Sequence, residues 1–196
     1  MRRICVFLLA SFSLLACKHK QELPVSMSID RHWQFKNIND TLWNSASIPG
    51  TVHTDLLKNK LIEDPFIGNH ETNMQWISES DWEYKTHFKV QPEELEKTHH
   101  ELIFKGLDTY ASVYLNDLLI LKTNNAFREY NIDVKGITKA KNSLKIVFKN
   151  PAQIESEAAS KLPYTLPEGN RVFTRKAQFQ YGWDWGPKLN TSGIWR

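Results

Sequence analysis

A series of short segments in which apolar and polar side chains alternate constrains the fold of this chain most. Residues 83–90 place an uncharged side chain at every second position, and residues 144–148 repeat the pattern with Leu144, Ile146 and Phe148. A period of two predicts β-strands with one buried face. Asn116-Asp117 lies between two such segments and predicts a hairpin turn. Many short strands with turn signals between them predict an all-β sandwich.

Two helices and a first strand complete the predicted elements. Residues 29–35 alternate in places and predict the first strand. Thr51 or Thr54 is a candidate N-cap for a short helix that runs through Lys60. Residues 154–162 have helical composition and are closed by Pro163 and Pro167. The expected fold is therefore all-β with one or two short helices.

The first 17 residues have the pattern of a targeting signal. Arg2 and Arg3 precede an apolar run that is too short to span a bilayer as a helix. The run ends in Leu14-Leu15-Ala16-Cys17, which resembles a bacterial lipobox and predicts lipidation of Cys17. The alternative is a plain secretory signal with an incidental cysteine. We expect three regions: a lipoprotein signal peptide at residues 1–17, a tether at 18–27 and one folded domain at 28–196.

The charge content argues against a nucleic-acid-binding protein, and the cysteine content argues against a domain stabilised by disulfides. Without Arg2 and Arg3, the 25 basic residues fall to 23, against 22 acidic residues. This near balance, with no visible basic cluster, argues against a nucleic-acid partner. Cys5 leaves with the predicted signal, so the mature chain keeps only Cys17 and cannot form an internal disulfide. Its stability must come from packing.

The histidines give no metal site. His53 has no second histidine at ligand spacing, so a packed, hydrogen-bonded histidine is the expected structure. His99 and His100 are adjacent, and adjacent side chains of a strand point to opposite faces, so they would not bind one ion together. We therefore expect no metal and no cofactor.

The segment from Arg175 to Trp195 is the candidate binding region. It contains three of the seven tryptophans together with several glycines, a proline and Asp184. Glycine and proline weaken a strand interior, and a buried indole N–H needs a partner. Flat aromatic faces beside a carboxylate suit a sugar, which has apolar C–H faces and a rim of hydroxyl groups. The alternative is a tryptophan-rich corner of the sandwich with a purely structural role.

The sequence Tyr181-Gly-Trp-Asp-Trp-Gly-Pro187 closely resembles a segment of the glycoside hydrolase family 2 β-mannosidases. The resemblance extends from about Trp33 to Trp195 in four ordered blocks, at residues 43–57, 64–71, 106–116 and 181–187. It implies a jelly-roll sandwich of the galactose-binding-domain-like type. It also implies that Trp183, Asp184 and Trp185 line the pocket for a terminal, non-reducing mannose. Arg175 would pair with Asp184 or orient a loop.

The resemblance requires a bend in the backbone around Asp184. In an extended strand Trp183 and Trp185 would share one face while Asp184 took the other. Gly182 and Gly186-Pro187 bracket the triplet and permit a bend. The sequence therefore predicts a bent loop at the end of the sandwich.

The resemblance implies an exo-acting retaining β-mannosidase, of which this chain is the N-terminal domain. Retaining glycosidases need two carboxyl groups about 5–5.5 Å apart. In this family both are glutamates of a (β/α)₈ barrel, and no parallel βα repeat is present here to hold them. We expect no catalytic residue in this chain, and we expect three partners: a β-mannoside oligosaccharide, the missing C-terminal barrel, and the membrane of a bacterial cell envelope through the lipid anchor. The alternatives are a free-standing carbohydrate-binding lipoprotein, the same domain of a related family 2 exo-β-glycosidase, and a domain that braces a barrel without touching sugar.

Overall fold

The computed structural model describes residues 24–196, so the predicted signal, Cys17 and the first part of the predicted tether lie outside the described residues. Within that range ten strands are present. They are β1 (Gln34–Asn37), β2 (Asn44–Ser45), β3 (Trp82–Lys89), β4 (Glu101–Phe104), β5 (Leu107–Asp108), β6 (Ala111–Leu115), β7 (Leu118–Lys122), β8 (Tyr130–Asp133), β9 (Lys141–Phe148) and β10 (Gly193–Ile194). The helices are α1 (Val52–Lys58), α2 (Pro92–Leu95) and α3 (Pro151–Ala159), with 3₁₀ helices at His70–Ile77, Gly169–Phe173 and Gln178–Tyr181.

One antiparallel sheet of six strands, in the order β2-β1-β3-β9-β6-β7, dominates the fold. Its centre is the β3–β9 pair, in register from Trp82 opposite Phe148 to Lys89 opposite Lys141. Two smaller sheets, β5–β10 and β4–β8, lie against its apolar face. They contribute Phe104, Leu107 and Ile194 to a single core cluster with the large sheet. The predicted all-β sandwich is confirmed.

The alternating pattern predicted the central strands well. In β3 the core-facing Trp82 and Tyr84 are buried while charged residues alternate with them. The Asn116-Asp117 turn joins β6 to β7 with φ angles of 51° and 67°, as a two-residue hairpin of type I′ requires. Helix α1 begins after Thr51, whose hydroxyl accepts from the Thr54 amide while Thr54 Oγ1 accepts from the Thr51 amide. The N-cap prediction is confirmed.

Two details of the prediction were wrong. Residues 29–33 are not part of the first strand, which begins at Gln34. The indole of Trp33 donates to the Ile29 carbonyl at 2.8 Å and His32 has a φ of 59°, so the chain turns here. Helix α3 begins earlier than predicted, at Pro151, because Asn150 caps it through the Ala152 amide.

A buried carboxylate fixes α1 to the large sheet. Asp55 is fully buried and accepts hydrogen bonds from the Ser47 amide at 2.8 Å and the Tyr84 hydroxyl at 3.0 Å. Burial raises the pKa of Asp55 above its ordinary value. A separate hydrogen bond, from the Val52 amide to the Ser192 carbonyl, holds the start of α1 beside β10. Helix α1 therefore supports the end of the segment from Arg175 to Trp195.

Within residues 24–196, no helix combines the length and the apolar composition that crossing a bilayer requires.

Candidate functional site

Residues 181–189, called here the aromatic loop, form a tight hairpin rather than a strand. The 3₁₀ helix Gln178–Tyr181 ends at Gly182, whose φ of 91° only glycine adopts readily. Trp183 and Gly186 then exchange two backbone hydrogen bonds of 3.1 Å, with Asp184 and Trp185 at the tip. The predicted bend between Gly182 and Gly186 is confirmed.

The two tryptophans of the loop are exposed and lie side by side. Their ring centroids are 5.6 Å apart with an interplanar angle of 56°, and the exposed fractions are 50% for Trp183 and 83% for Trp185. Packed indoles of a sandwich corner would be largely covered. These exposures therefore disfavour the structural-corner interpretation and favour a surface that receives a ligand or a partner.

Both tryptophans line an apolar cleft of about 510 Å³. Phe66 and Phe179 flank them and are themselves mostly exposed. Gln180 supplies a polar side chain to a lining that is otherwise apolar: Phe66, Phe179, Trp183, Trp185, Pro187 and Leu189. Such a cleft offers aromatic faces for apolar contact, and its polar specificity must come from groups at its rim.

Asp184 is the charged group at the tip of the loop. It is exposed and does not line the cleft, so it lies outside the wall that the two tryptophans form. Arg175 is exposed at the start of the segment, where its carbonyl accepts from the Ala126 amide at 2.9 Å. Within residues 24–196, no hydrogen bond or ion pair joins Arg175 to Asp184. The structure thus brings together Trp183, Asp184 and Trp185 but does not pair Arg175 with them.

The block at residues 64–71 touches the aromatic loop from the other side. The Lys188 amide donates to Glu71 Oε1 at 2.5 Å, and the Lys188 carbonyl accepts from Gln75 Nε2 at 3.0 Å. Phe66 adds its ring to the cleft. Two segments more than 100 residues apart in sequence therefore build one face of the domain.

A cluster of polar residues, of which Asp108, Lys176 and Asn190 are buried, joins the two ends of the aromatic loop, and sequence reasoning missed it. Lys176 Nζ contacts Asp108 Oδ1 at 3.2 Å, Asn190 Oδ1 at 2.6 Å and the Thr191 carbonyl at 2.6 Å. Gln180 Nε2 donates to Asp108 Oδ2 at 2.8 Å, and Gln180 Oε1 accepts from the Thr191 amide at 3.1 Å. We call these five residues the stem cluster.

A second buried contact holds the first residue of the loop. The Tyr181 hydroxyl donates to Glu155 of α3, which also accepts from Thr174 Oγ1 at 2.6 Å. Burial, and then the hydrogen bond to Glu155, raise the pKa of Tyr181, so its hydroxyl stays protonated and donates. No local pattern marks Asp108, Glu155 or Lys176, because each finds its partners far away in the sequence.

His53 is the packed histidine that the sequence predicts. It is buried at the start of α1, and its Nδ1 lies 2.8 Å from Thr191 Oγ1. Burial, and to a smaller extent the positive charge of Lys176, lower the pKa of His53 from 6.5 to about 4. The ring is therefore neutral in the folded domain at neutral pH.

Acidification is expected to destabilise the protein through His53. Between pH 6.5 and pH 4 the unfolded chain binds a proton at this residue that the folded chain does not. Stability that is present above pH 6.5 is therefore lost as the pH falls, by about 3 kcal/mol for a depression of this size. Between about pH 7 and about pH 4.5, the free energy of unfolding of the wild type should fall by about 2.4 kcal/mol more than that of His53→Gln. The control His87→Gln, at an exposed site, should behave like the wild type, and equal pH dependence in all three proteins would contradict the assignment.

Known proteins resemble this chain over nearly all of the residues described above. The model of the glycosyl hydrolase 2 galactose-binding domain-like family matches residues 33–196. A β-mannosidase of Mus musculus is 36% identical over 182 residues, which are 87% of this chain and 21% of the relative. A β-mannosidase B of Thermothelomyces thermophilus is 36% identical over 181 residues, with coverage of 88% and 21%.

A solved structure agrees with the sequence relatives. The crystal structure of a β-D-mannosidase from Dictyoglomus thermophilum superposes with a TM-score of 0.83 and 41% identity, over 87% of this chain and 22% of that one. The chain thus spans about a fifth of the length of the relatives that it matches.

Proposed function

The chain belongs to the glycosyl hydrolase 2 galactose-binding domain-like family, and we propose that it is the N-terminal domain of an exo-acting, retaining β-mannosidase. The substrate of that enzyme is a terminal, non-reducing β-D-mannose residue of an oligosaccharide. The relatives that support the proposal are β-mannosidases, and each is similar to this chain over nearly all of the described range.

The aromatic loop is the part of the domain that meets the sugar. The observation that carries this assignment is the exposure of Trp183 and Trp185 in a hydrogen-bonded hairpin, with Asp184 between them. Indole faces cover the apolar C–H face of a pyranose ring. The carboxylate of Asp184 accepts hydrogen bonds from hydroxyl groups, and a charged acceptor makes such bonds about twice as strong as a neutral one. Arg175 is the less central member of the proposed site.

The chemistry of bond cleavage belongs to another part of the enzyme. A retaining mechanism needs an acid/base and a nucleophile about 5–5.5 Å apart. The described residues form antiparallel sheets, without the parallel βα units that would carry these groups at the end of a barrel. The domain contributes binding and orientation, and a following (β/α)₈ barrel supplies both carboxyl groups.

The substrate preference of the full-length enzyme tests this function. Its kcat/KM is expected to be highest for an aryl β-mannoside in a panel with the matching β-glucoside, β-galactoside and β-glucuronide. Mannose should be released from the non-reducing end of a β-manno-oligosaccharide, initially as the β-anomer. A preference for another sugar in the panel would assign the domain to a related family 2 exo-β-glycosidase, and no turnover of any member would favour the carbohydrate-binding lipoprotein.

We also propose that Cys17 carries a lipid anchor that holds the protein at a bacterial cell envelope. The support is the basic start, the apolar run and the lipobox-like ending of residues 1–17. Stable anchoring takes more than one acyl chain. Cys17→Ser should therefore move the protein from the membrane fraction to the soluble fraction, while Cys5→Ser leaves its fractionation unchanged. A Cys17→Ser protein that stays with the membrane would contradict the anchor.

A further inference from the structure

Both ends of the aromatic loop are attached to one buried ion pair. The loop departs after Gln180 and returns at Asn190 and Thr191, and all three of these residues belong to the stem cluster. At the tip, by contrast, Asp184 and Trp185 are exposed. Together with the contacts of Tyr181 and Lys188, the geometry of these two ends therefore sets the position of the tip.

Lys176 is the centre of the stem cluster. Its side chain has no exposed surface, and its ammonium group faces a carboxylate, an amide oxygen and a backbone carbonyl within 3.2 Å. An ammonium group has three donors, so these three acceptors satisfy it completely. The contacts to Asn190 and the Thr191 carbonyl fix the returning end of the loop.

Asp108 holds the departing end. It is the last residue of β5, where it pairs with Gly193 of β10, so its backbone is fixed in a sheet. One carboxylate oxygen meets Lys176 and the other accepts from Gln180, one residue before the loop. Gln180 in turn accepts from the Thr191 amide, which closes a ring of contacts across the two ends.

Stability alone does not account for this arrangement. Removing two charges from water costs several kcal/mol each, and a well-packed apolar pair of similar volume is often as stable as a buried ion pair or more so. An apolar pair, however, makes no directional hydrogen bonds to its neighbours. The fixed ammonium donates to Asn190 and Thr191, and the fixed carboxylate accepts from Gln180, so the pair defines where these three residues lie.

We propose that Lys176 and Asp108 are positioning residues of the sugar site, acting through Gln180 and Thr191 on the aromatic loop. The proposal rests on the function assigned to that loop. A displacement of about 1 Å in a group that orients substrate can cost about 100-fold in rate. The ion pair thus contributes to activity without touching the sugar.

Gln180→Ala in the full-length enzyme is the mildest test. It removes both stem contacts of this side chain and leaves the Lys176–Asp108 pair in place. We expect a loss of roughly 10-fold in kcat/KM for an aryl β-mannoside, with an unchanged melting temperature of the bulk fold. Gln178→Ala is the matched control: it lies in the same 3₁₀ helix and bonds the Thr174 and Lys176 carbonyls, not Asp108. It should retain wild-type activity.

Combination with Asp184→Ala separates positioning from general stability. If Gln180 acts by placing Asp184 and its neighbours, Gln180→Ala should cost less than about 2-fold further in the Asp184→Ala background, because the two changes then remove one shared contribution. Lys176→Met should reduce kcat/KM by about 100-fold and show the same non-additivity. If Lys176→Met does not fold, the Gln180 cycle decides.

The outcomes distinguish the two proposals. Fully additive losses in kcat/KM, or a Gln180→Ala enzyme as active as Gln178→Ala, would overturn the positioning role. If Asp184→Ala is impaired in the same experiments, the sugar contact stands. Full activity of Asp184→Ala would overturn the sugar contact itself, and the positioning role with it. An impaired Gln180→Ala whose loss disappears in the Asp184→Ala background supports the proposal.

Discussion

Residues 18–196 produced alone are expected to release no measurable product from an aryl β-mannoside that the full-length enzyme hydrolyses. The described part of this fragment consists of antiparallel sheets and short helices, and its proposed site offers Asp184 as a single carboxylate between two tryptophans. One carboxylate cannot serve as both the acid/base and the nucleophile of a retaining mechanism. The expected loss is therefore complete.

The control for this experiment is the folded state of the fragment. Its tryptophan fluorescence and circular dichroism should show a cooperative melt, since Trp33 and Trp82 are buried in a core of its own. The assay should also include a mock purification from the same host. Turnover that co-purifies with the fragment and is absent from the mock sample would contradict the proposal that both catalytic carboxyl groups lie outside this domain.

Asp184→Ala in the full-length enzyme is expected to cost on the order of 2–4 kcal/mol of transition-state stabilisation, or about 30- to 1,000-fold in kcat/KM. The physical reason is the loss of the charged acceptor that we propose for the hydroxyl groups of the sugar. In the isolated domain Asp184 is exposed, so its removal should disrupt little packing. The thermal melt should therefore be unchanged.

Two variants bracket this prediction. Asp184→Asn keeps the shape and one acceptor oxygen but removes the charge, so it should fall between the wild type and Asp184→Ala. Asp40→Ala removes an exposed aspartate far from the aromatic loop in sequence and should have wild-type kcat/KM. An Asp184→Ala protein that unfolds would favour the structural-corner interpretation, and one with full activity would refute the sugar contact.

Local patterns predicted the parts of the fold that depend on local physics. Alternation identified β3 and β9 because one face of each strand is buried, and Asn116-Asp117 identified its hairpin because both residues tolerate positive φ. The capping threonine of α1 was found because its partner is three residues away. The start of β1 was predicted wrongly, because the turn before it depends on the hydrogen bond from the Trp33 indole to the Ile29 carbonyl.

The candidate site was predicted from the sequence only where it depends on neighbouring residues. The bend at Trp183-Asp184-Trp185 follows from the glycines around it, and the structure has it. The stem cluster was missed because its ion pair joins Asp108 and Lys176, which are 68 residues apart, and neither residue has a local pattern of its own. A lysine in this Gly- and aromatic-rich segment looks the same in the sequence whether it is buried or exposed. Only the assembled fold reveals that Lys176 has no exposed surface.

A crystal structure of the full-length enzyme with a mannose-configured inhibitor tests the central claim most directly. The account predicts that a carboxylate oxygen of Asp184 lies about 2.6–3.2 Å from a hydroxyl group of the inhibitor, with Trp183 or Trp185 against the sugar ring. An inhibitor bound in the barrel with Asp184 facing solvent, and with both indoles packed only against protein, would contradict it.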